Sequence, residues 1–365
     1  MQANKLTLIN FRNYSEQIVD FGDGVNIFYG DNAQGKTNIL EAVYFFSMGK
    51  ASRTHKDAEV IRHGEERADI SLEFSDSKRE SLAQISIFRD KRKVISVNEV
   101  PVRKNSELVG RFQLVYFGPE YLGLVKEGPA RRRKNTDVLI SQLRPAYFSA
   151  LSDFKKISDS KNALLKMDRP NKAMLEIINE KMSSISANII LYRNQYISKI
   201  AEYAKEIQRE ISDGKEELEV KYLSCVGNTE GLTAEEIKAK LDKKLAEVWD
   251  REIESRESVT GPHREDIGYF INGKEAKIYA SQGQQKTIVL AQKLAEVELM
   301  HQESGELPVV LLDDIMSELD RKRQRFILGH IQKTQLLITC TDTEGFELAE
   351  NTRLFQVENG NVKEG

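Results

Sequence analysis

With 365 residues, of which 40% are hydrophobic, the chain can bury one large core or two ordinary ones, and it contains no run of 18 or more apolar residues that would read as a membrane span. A formal charge of -3, from 54 basic and 57 acidic residues, excludes a generally basic nucleic-acid coat, so any nucleic-acid contact falls to local runs: "RDKRK" at 89–93, "RRRK" at 131–134 and "RKRQR" at 321–325. Two cysteines, Cys225 and Cys340, in no C-x-x-C pairing give no ground for a disulfide framework or a zinc site, and the opening "MQANKLTLINF" has no leader pattern, so a cytoplasmic location is the expectation.

From Lys5 to about Arg103 the pattern is strand-rich. "KLTLINF", "VNIFYG", "ADISLEF", "AQISIF" and "KVISVNEVPV" are short apolar or alternating runs between turn residues. One helix interrupts them, from Lys36 through Ile39, Leu40, Val43, Tyr44 and Phe46 to a stop at Gly49. Between the strand "VNIFY" and that helix, residues 30–37 read G-x-x-x-x-G-K-T. Glycines let such a loop curl so that successive N–H groups face an anion, and the helix N-terminus adds partial positive charge. Lys36 then reaches β- and γ-phosphate oxygens, and the Thr37 hydroxyl takes a magnesium position. The stretch is built to hold a nucleoside triphosphate.

After "FGPEYLGLVKEGPA" helical periodicity takes over until about Arg256. The longest segment, Asn171 to Ser212, places Met174, Ile178, Met182, Ile185, Ile189, Tyr192, Tyr196, Ile200, Tyr203, Ile207 and Ile211 on one face of a helix about 60 Å long. Strands return in "GPHREDIGYFINGKEAKIYA", where Asn272-Gly273 marks a tight hairpin and His263 reads as a structural or turn residue. Next comes the polar bend "YASQGQQKT", with Ser281, Gly283 and Gln284, leading into an amphipathic helix to about Gln302. It offers a hydroxyl, free N–H groups and a helix dipole to an anion, and on these residues alone it is equally an ordinary helix cap.

"VVLLDDI", 309–315, is a buried parallel strand by its composition, and it ends in Asp313-Asp314. Asp313 would hold the metal beside the phosphate loop, and Asp314 would orient or deprotonate the attacking water. A basic helix from Arg321, the strand "QLLITC" and a last strand before "ENGN" complete the chain. The two ends look alike and the middle does not. The expected organisation is an α/β domain assembled from residues 1–118 and 257–365, with a mostly helical insertion at 119–256.

Taken in order, "NFRNY", "GDNAQGKTNILEAV", "VKEGPARRR", "TGPHREDI", "SQGQQKT" and "LLDDIMSELD" resemble the bacterial RecF recombination and replication-repair family, over nearly the whole chain. The resemblance implies an ABC/SMC-like P-loop ATPase head with a short helical arm. It implies that Gly30, Asp31, Asn32, Ala33, Gln34, Gly35, Lys36, Thr37 and Asn38 form the Walker A nucleotide site, with Asp313 on the metal side. Asp314 then stands where the wider group has a catalytic glutamate, and its shorter reach implies slow hydrolysis. Gln113 in "RFQLVYF" is the expected sensor of magnesium and γ-phosphate. Ser281, Gly283 and Gln284 match the signature that touches ATP held by a second subunit.

The implied activity is a weak, DNA-stimulated ATPase that uses ATP and Mg2+ to close a homodimer on double-stranded or gapped DNA. The implied partners are RecR with RecO and, indirectly, RecA. Arg131, Arg132 and Arg133 are the expected DNA contacts. Two other classes share the ATP motifs: the ATPase subunit of a membrane transporter and an ATPase-gated nuclease. "LLITCTD" has no switch histidine, which weighs against the first, and too little chain follows it for the second.

Overall fold

The computed structural model describes residues 1–54, 56–343 and 351–365. The opening third holds β1 (Gln2–Phe11), β2 (Tyr14–Asp20), β3 (Val25–Tyr29), helix α1 (Lys36–Met48), β4 (Arg67–Ser75), β5 (Glu80–Phe88), β6 (Val94–Val97), β7 (Val100–Pro101) and β8 (Leu114–Phe117). Six of these strands form an antiparallel sheet in the order β2-β1-β4-β5-β6-β7. Its alternation puts Leu6, Leu8, Ile70, Leu72, Ile85 and Ile87 inside, as a period of two requires. The "KVISVNEVPV" run doubles back at Asn98-Glu99, whose φ angles of 50° and 65° suit the two-residue hairpin turn that matches strand twist.

The central segment holds α2 (Pro129–Leu143), α3 (Pro145–Leu165), α4 (Lys172–Ile211), β9 (Leu218–Leu223), α5 (Ala234–Glu247), α6 (Trp249–Ser255), β10 (Asp266–Ile271), β11 (Lys274–Glu275) and α7 (Ala276–Tyr279). Asn171 starts α4 by accepting a hydrogen bond from the N–H of Met174. Most of the expected stripe is buried or half-buried, but Met174 is 52% exposed and Leu175 takes the inward position at that end. Farther along, Ala187 and Ile190 pack with Ile237 and Leu241 of α5. A small antiparallel sheet, β11-β10-β9, joins the end of α4 to the hairpin at Asn272-Gly273.

The remaining elements are α8 (Gln282–Ser304), β12 (Val309–Asp313), α9 (Arg321–His330), β13 (Leu336–Cys340), β14 (Thr352–Glu358) and β15 (Asn361–Glu364). They complete a second six-stranded sheet in the order β15-β14-β3-β13-β12-β8, parallel throughout except for β15. Because these strands are covered on both faces, β12 and β13 are buried at every position. The chain divides into two compact units, residues 1–123 with 289–365 and residues 124–288. The division falls at 123 and 288, where sequence pattern had placed it at 118 and 256. Pairing of β10 with β9 keeps the hairpin, and the bend before α8 with it, in the helical unit.

Candidate functional site

Parallel strands aim their carboxyl ends at one edge of a sheet, where ligands of such folds bind. In the first unit that edge brings together the loop after β3, Asp313 at the end of β12 and Thr339 in β13. The loop from Gly30 to Gly35 curls through left-handed backbone, with φ of 147° at Gly30, 65° at Ala33 and 121° at Gly35. Glycine is required twice. A β-carbon at Gly30 would stand 2.4 Å from the Val357 carbonyl oxygen, and one at Gly35 would stand 2.6 Å from Asn13 Nδ2 and 2.8 Å from the Tyr14 hydroxyl.

Two distant segments clamp the loop. Asn13 Nδ2 donates to the Gln34 carbonyl at 2.8 Å, Tyr14 donates to the Gly35 carbonyl at 3.1 Å, and Asn38 Nδ2 donates to Asn13 Oδ1 at 2.8 Å. From the other end of the chain, the N–H of Asn359 donates to Gln34 Oε1 at 2.7 Å and the N–H of Gly360 to the Gln34 carbonyl at 3.2 Å. An open cleft lined by Arg12, Asn38, Glu41, Arg53 and Ile61 adjoins the loop.

Lys36 is buried and donates to the carbonyls of Gly30, at 2.6 Å, and Asp31, at 2.9 Å. Its ammonium therefore lies across the mouth of the loop. The Thr37 hydroxyl donates to Asp313 Oδ1 at 2.8 Å, Thr339 donates to the same oxygen at 2.7 Å, and the buried Tyr116 hydroxyl donates to Oδ2 at 2.8 Å. Burial and the adjacent Asp313 carboxylate push the Tyr116 phenol well above its ordinary pKa, so it stays a donor. Asp313 is thus fixed at both oxygens.

Asp314 has φ of 50°, and its N–H donates to Thr339 Oγ1 at 2.9 Å. Burial, then the charge of Asp313, raise its carboxyl above the usual range, while Lys36 and Arg53 oppose the rise. The Thr37 hydroxyl beside the Asp313 carboxylate is a hard oxygen pair suited to magnesium, which takes one or two carboxylates and completes its shell with water and substrate phosphate. Among the described residues no group of three or more His, Cys, Asp or Glu side chains forms a self-sufficient metal cage.

Gln113 is corrected. It precedes β8 at the amino end of the sheet, where its carbonyl accepts from the N–H of Val309, the first residue of β12. Asp313 lies four residues farther along that strand, about 13 Å away at strand rise, so Gln113 is at the wrong end to touch phosphate or metal. The residue of β8 that reaches the site is Tyr116, through its hydroxyl on Asp313.

In the second unit Ser281 and Gln284 cap α8 reciprocally: Ser281 N–H donates to Gln284 Oε1 at 2.9 Å and Gln284 N–H donates to Ser281 Oγ at 3.3 Å. Ser281 remains exposed, and Gly283 half-buried. The arginine run is corrected in part. Arg132 is 3% exposed, forks onto Asp266 at 2.7 and 2.8 Å, and donates to the carbonyls of Leu124, Val125 and Glu127, so it is spent on the fold. Arg133 donates to the Glu265 carbonyl and Arg131 pairs with Glu127 at 2.6 Å. His263 is half-buried against Phe154, and burial lowers its imidazole pKa, as suits a structural residue.

Reasoning from sequence missed Asn13, Tyr14, Tyr116, Thr339, Asn359 and Gly360. "NFRNY" and "ENGN" were the available signals, but nothing in their spacing ties them to a loop twenty or three hundred residues away.

A family model described as the RecF/RecN/SMC N terminal domain matches residues 2–363. The chain is 40% identical to a DNA replication and repair protein RecF of Clostridium perfringens over 100% of both chains, and 38% identical to one of Acetivibrio thermocellus over 95% of each. Among solved structures it is similar to "the recombination mediator protein RecF-ATP in RecFOR pathway", with a TM-score of 0.92, 36% identity and coverage of 100% of this chain and 97% of that one. An Smc head bound to the C-winged helix domain of ScpA matches at TM-score 0.58 and 16% identity, covering 100% and 97%, which shows the shared fold alone.

Proposed function

Because the chain belongs to the RecF family of DNA replication and repair proteins, within the ABC/SMC type of ATPase, we propose that it is an ATP-gated DNA-binding protein that closes as a homodimer. The observation that carries the reading is the Lys36, Thr37 and Asp313 constellation at the strand ends, together with a signature turn that leaves Ser281 exposed. Lys36 leaves the loop carbonyls for the β- and γ-phosphates when ATP enters, and the curled backbone supplies N–H donors. Thr37 and Asp313 hold magnesium, whose chemistry here is neutralisation of phosphate charge. Asp314 orients the attacking water, and its short side chain makes turnover slow.

Ser281, Gly283 and Gln284 of one copy close on the nucleotide of the other, so ATP joins the pair and hydrolysis releases it. Closed dimers bind duplex DNA near single-strand gaps and, with RecR and RecO, support RecA loading. The relatives' description as replication and repair proteins, and of one solved relative as a mediator in the RecFOR pathway, support this assignment. No described helix is long and apolar enough to cross a membrane.

Sedimentation with and without ATP and magnesium tests the reading, using wild type, Lys36→Met and Ser281→Arg. Wild type dimerises only with ATP, while both variants stay monomeric. A wild type that binds ATP yet remains monomeric overturns it.

A further inference from the structure

The run "RKRQRFILGHIQK", residues 321–333, contains five Lys or Arg and no Asp or Glu in a chain whose net charge is -3. It forms α9 and the turn after it. Arg321, Lys322, Arg325, His330 and Lys333 are exposed. Arg323 is spent on Asp320, which also caps the helix by accepting the Arg323 N–H at 3.0 Å. Among the described residues Arg321, Arg325 and Lys333 have no carboxylate partner. His330 stacks on Phe326, centroids 5.6 Å apart and planes 18° apart, which holds a further N–H donor at the helix end.

Arg321 and Arg325, four residues apart, share one face of the helix about 6 Å apart along its axis, and one strand of a duplex carries a phosphate about every 3.4 Å, so the pair suits neighbouring phosphates. A membrane surface would ask for exposed Trp, Phe or Leu beside the cations, whereas Ile327 is buried and Phe326 and Leu328 are half-buried.

The helix is also tied to the ATP site. Only six residues separate Asp314 from Arg321, and the link is latched: Ser317 Oγ donates to the Asp314 carbonyl at 2.9 Å, and Gln324 Nε2 of α9 donates to the carbonyls of Met316, at 2.7 Å, and Leu319, at 3.0 Å. We propose that Arg321 and Arg325 on α9, with Lys333 in the turn after it, form a contact for the phosphate backbone of duplex DNA, mechanically linked through the Ser317 and Gln324 latch to the carboxylates at the ATP site. It rests on the DNA-binding reading above and names the surface that reading lacks.

The test is duplex binding with ATP and magnesium across a salt series, using wild type, a triple variant Arg321→Gln, Arg325→Gln, Lys333→Gln, and a control triple variant Arg89→Gln, Lys91→Gln, Arg92→Gln in the other exposed basic run of the same unit. Glutamine is a good helix former, so α9 keeps its shape. Each phosphate contact contributes about 0.9 to the slope of log affinity against log salt, so the α9 variant loses about 2.7 of slope and at least tenfold in affinity. Its ATPase without DNA is unchanged and the DNA-stimulated part disappears; the control variant keeps the wild-type slope. Wild-type binding with an unaltered slope in the α9 variant overturns this assignment alone. Wild type that fails to bind duplex at all overturns it together with the proposed function. An α9 variant that keeps DNA binding but loses adsorption to phosphatidylglycerol vesicles reassigns the face to lipid.

Discussion

Arginine runs open two helices, α2 with Arg131, Arg132 and Arg133 and α9 with Arg321, Lys322 and Arg323, and the fold treats them in opposite ways. In α2 the central guanidinium is 3% exposed, with every nitrogen committed to Asp266 or to backbone carbonyls. Its neighbourhood is an ionic core: Arg193 is held by Asp137, Glu265 and the Pro262 carbonyl, while Glu265 also accepts from Tyr222, Ser224 and the N–H of Cys225. In α9 Arg323 is taken by Asp320, whereas Arg321 and Lys322 stay exposed. A basic run is available to a ligand only if no carboxylate elsewhere in the chain has claimed it.

The largest separation comes from breaking the ionic core. Arg193→Met leaves Glu265 and Asp137 buried or half-buried without their cation, at a cost of about 3–5 kcal/mol, read as a lower denaturation midpoint for the helical unit. A loss below about 1 kcal/mol contradicts the saturated-core picture.

Next, Arg132→Gln costs about 3 kcal/mol because Asp266 loses its bidentate partner, while Arg131→Gln removes a solvent-facing pair with Glu127 worth about 0.5 kcal/mol. Both are measured by chemical denaturation. If Arg132→Gln weakens DNA binding without moving stability, the contrast between the two helices fails.

The smallest effect lies at the start of α9. Asp320→Ala removes the cap and costs about 1 kcal/mol. Hydrogen bonding from the Arg323 N–H, then the Arg323 charge, hold the Asp320 carboxyl below the usual range. A folded-state pKa depressed below the unfolded one contributes stability above the unfolded value and loses it as pH falls through the folded value. Wild type and Asp320→Ala therefore converge in stability under acid, followed by helix signal against pH, and a difference that persists there removes the cap explanation.

Most elements of both units were legible because their signals are local. Gly49 ends α1 in left-handed backbone, with φ of 65°, where a glycine stop was expected. Asn171 and Ser212 bound α4 at the expected residues. Four strands were not legible: β8 and β15, which are only four residues each, and two more. β2, "YSEQIVD", is a polar edge strand with little alternation, and β9, "LEVKYL", lies inside a helical stretch and becomes a strand by pairing with β10. Gln113 was misplaced for a related reason: a motif alone cannot tell which end of a parallel strand faces the loop, and the register of β8 on β12 decides that.

By itself the sequence determined what depends on near neighbours: the glycines that let the loop after β3 curl, the lysine and threonine at its end, the aspartates that close an apolar strand, and the serine that caps α8. The tertiary structure alone decided which charges are free. Arg132 meets Asp266 across 134 residues, Thr37 meets Asp313 across 276, and Gln34 meets Asn359 across 325. Such pairings follow from strand order and register, which local pattern does not encode, and they separate a charge that holds the fold from one that waits for a ligand.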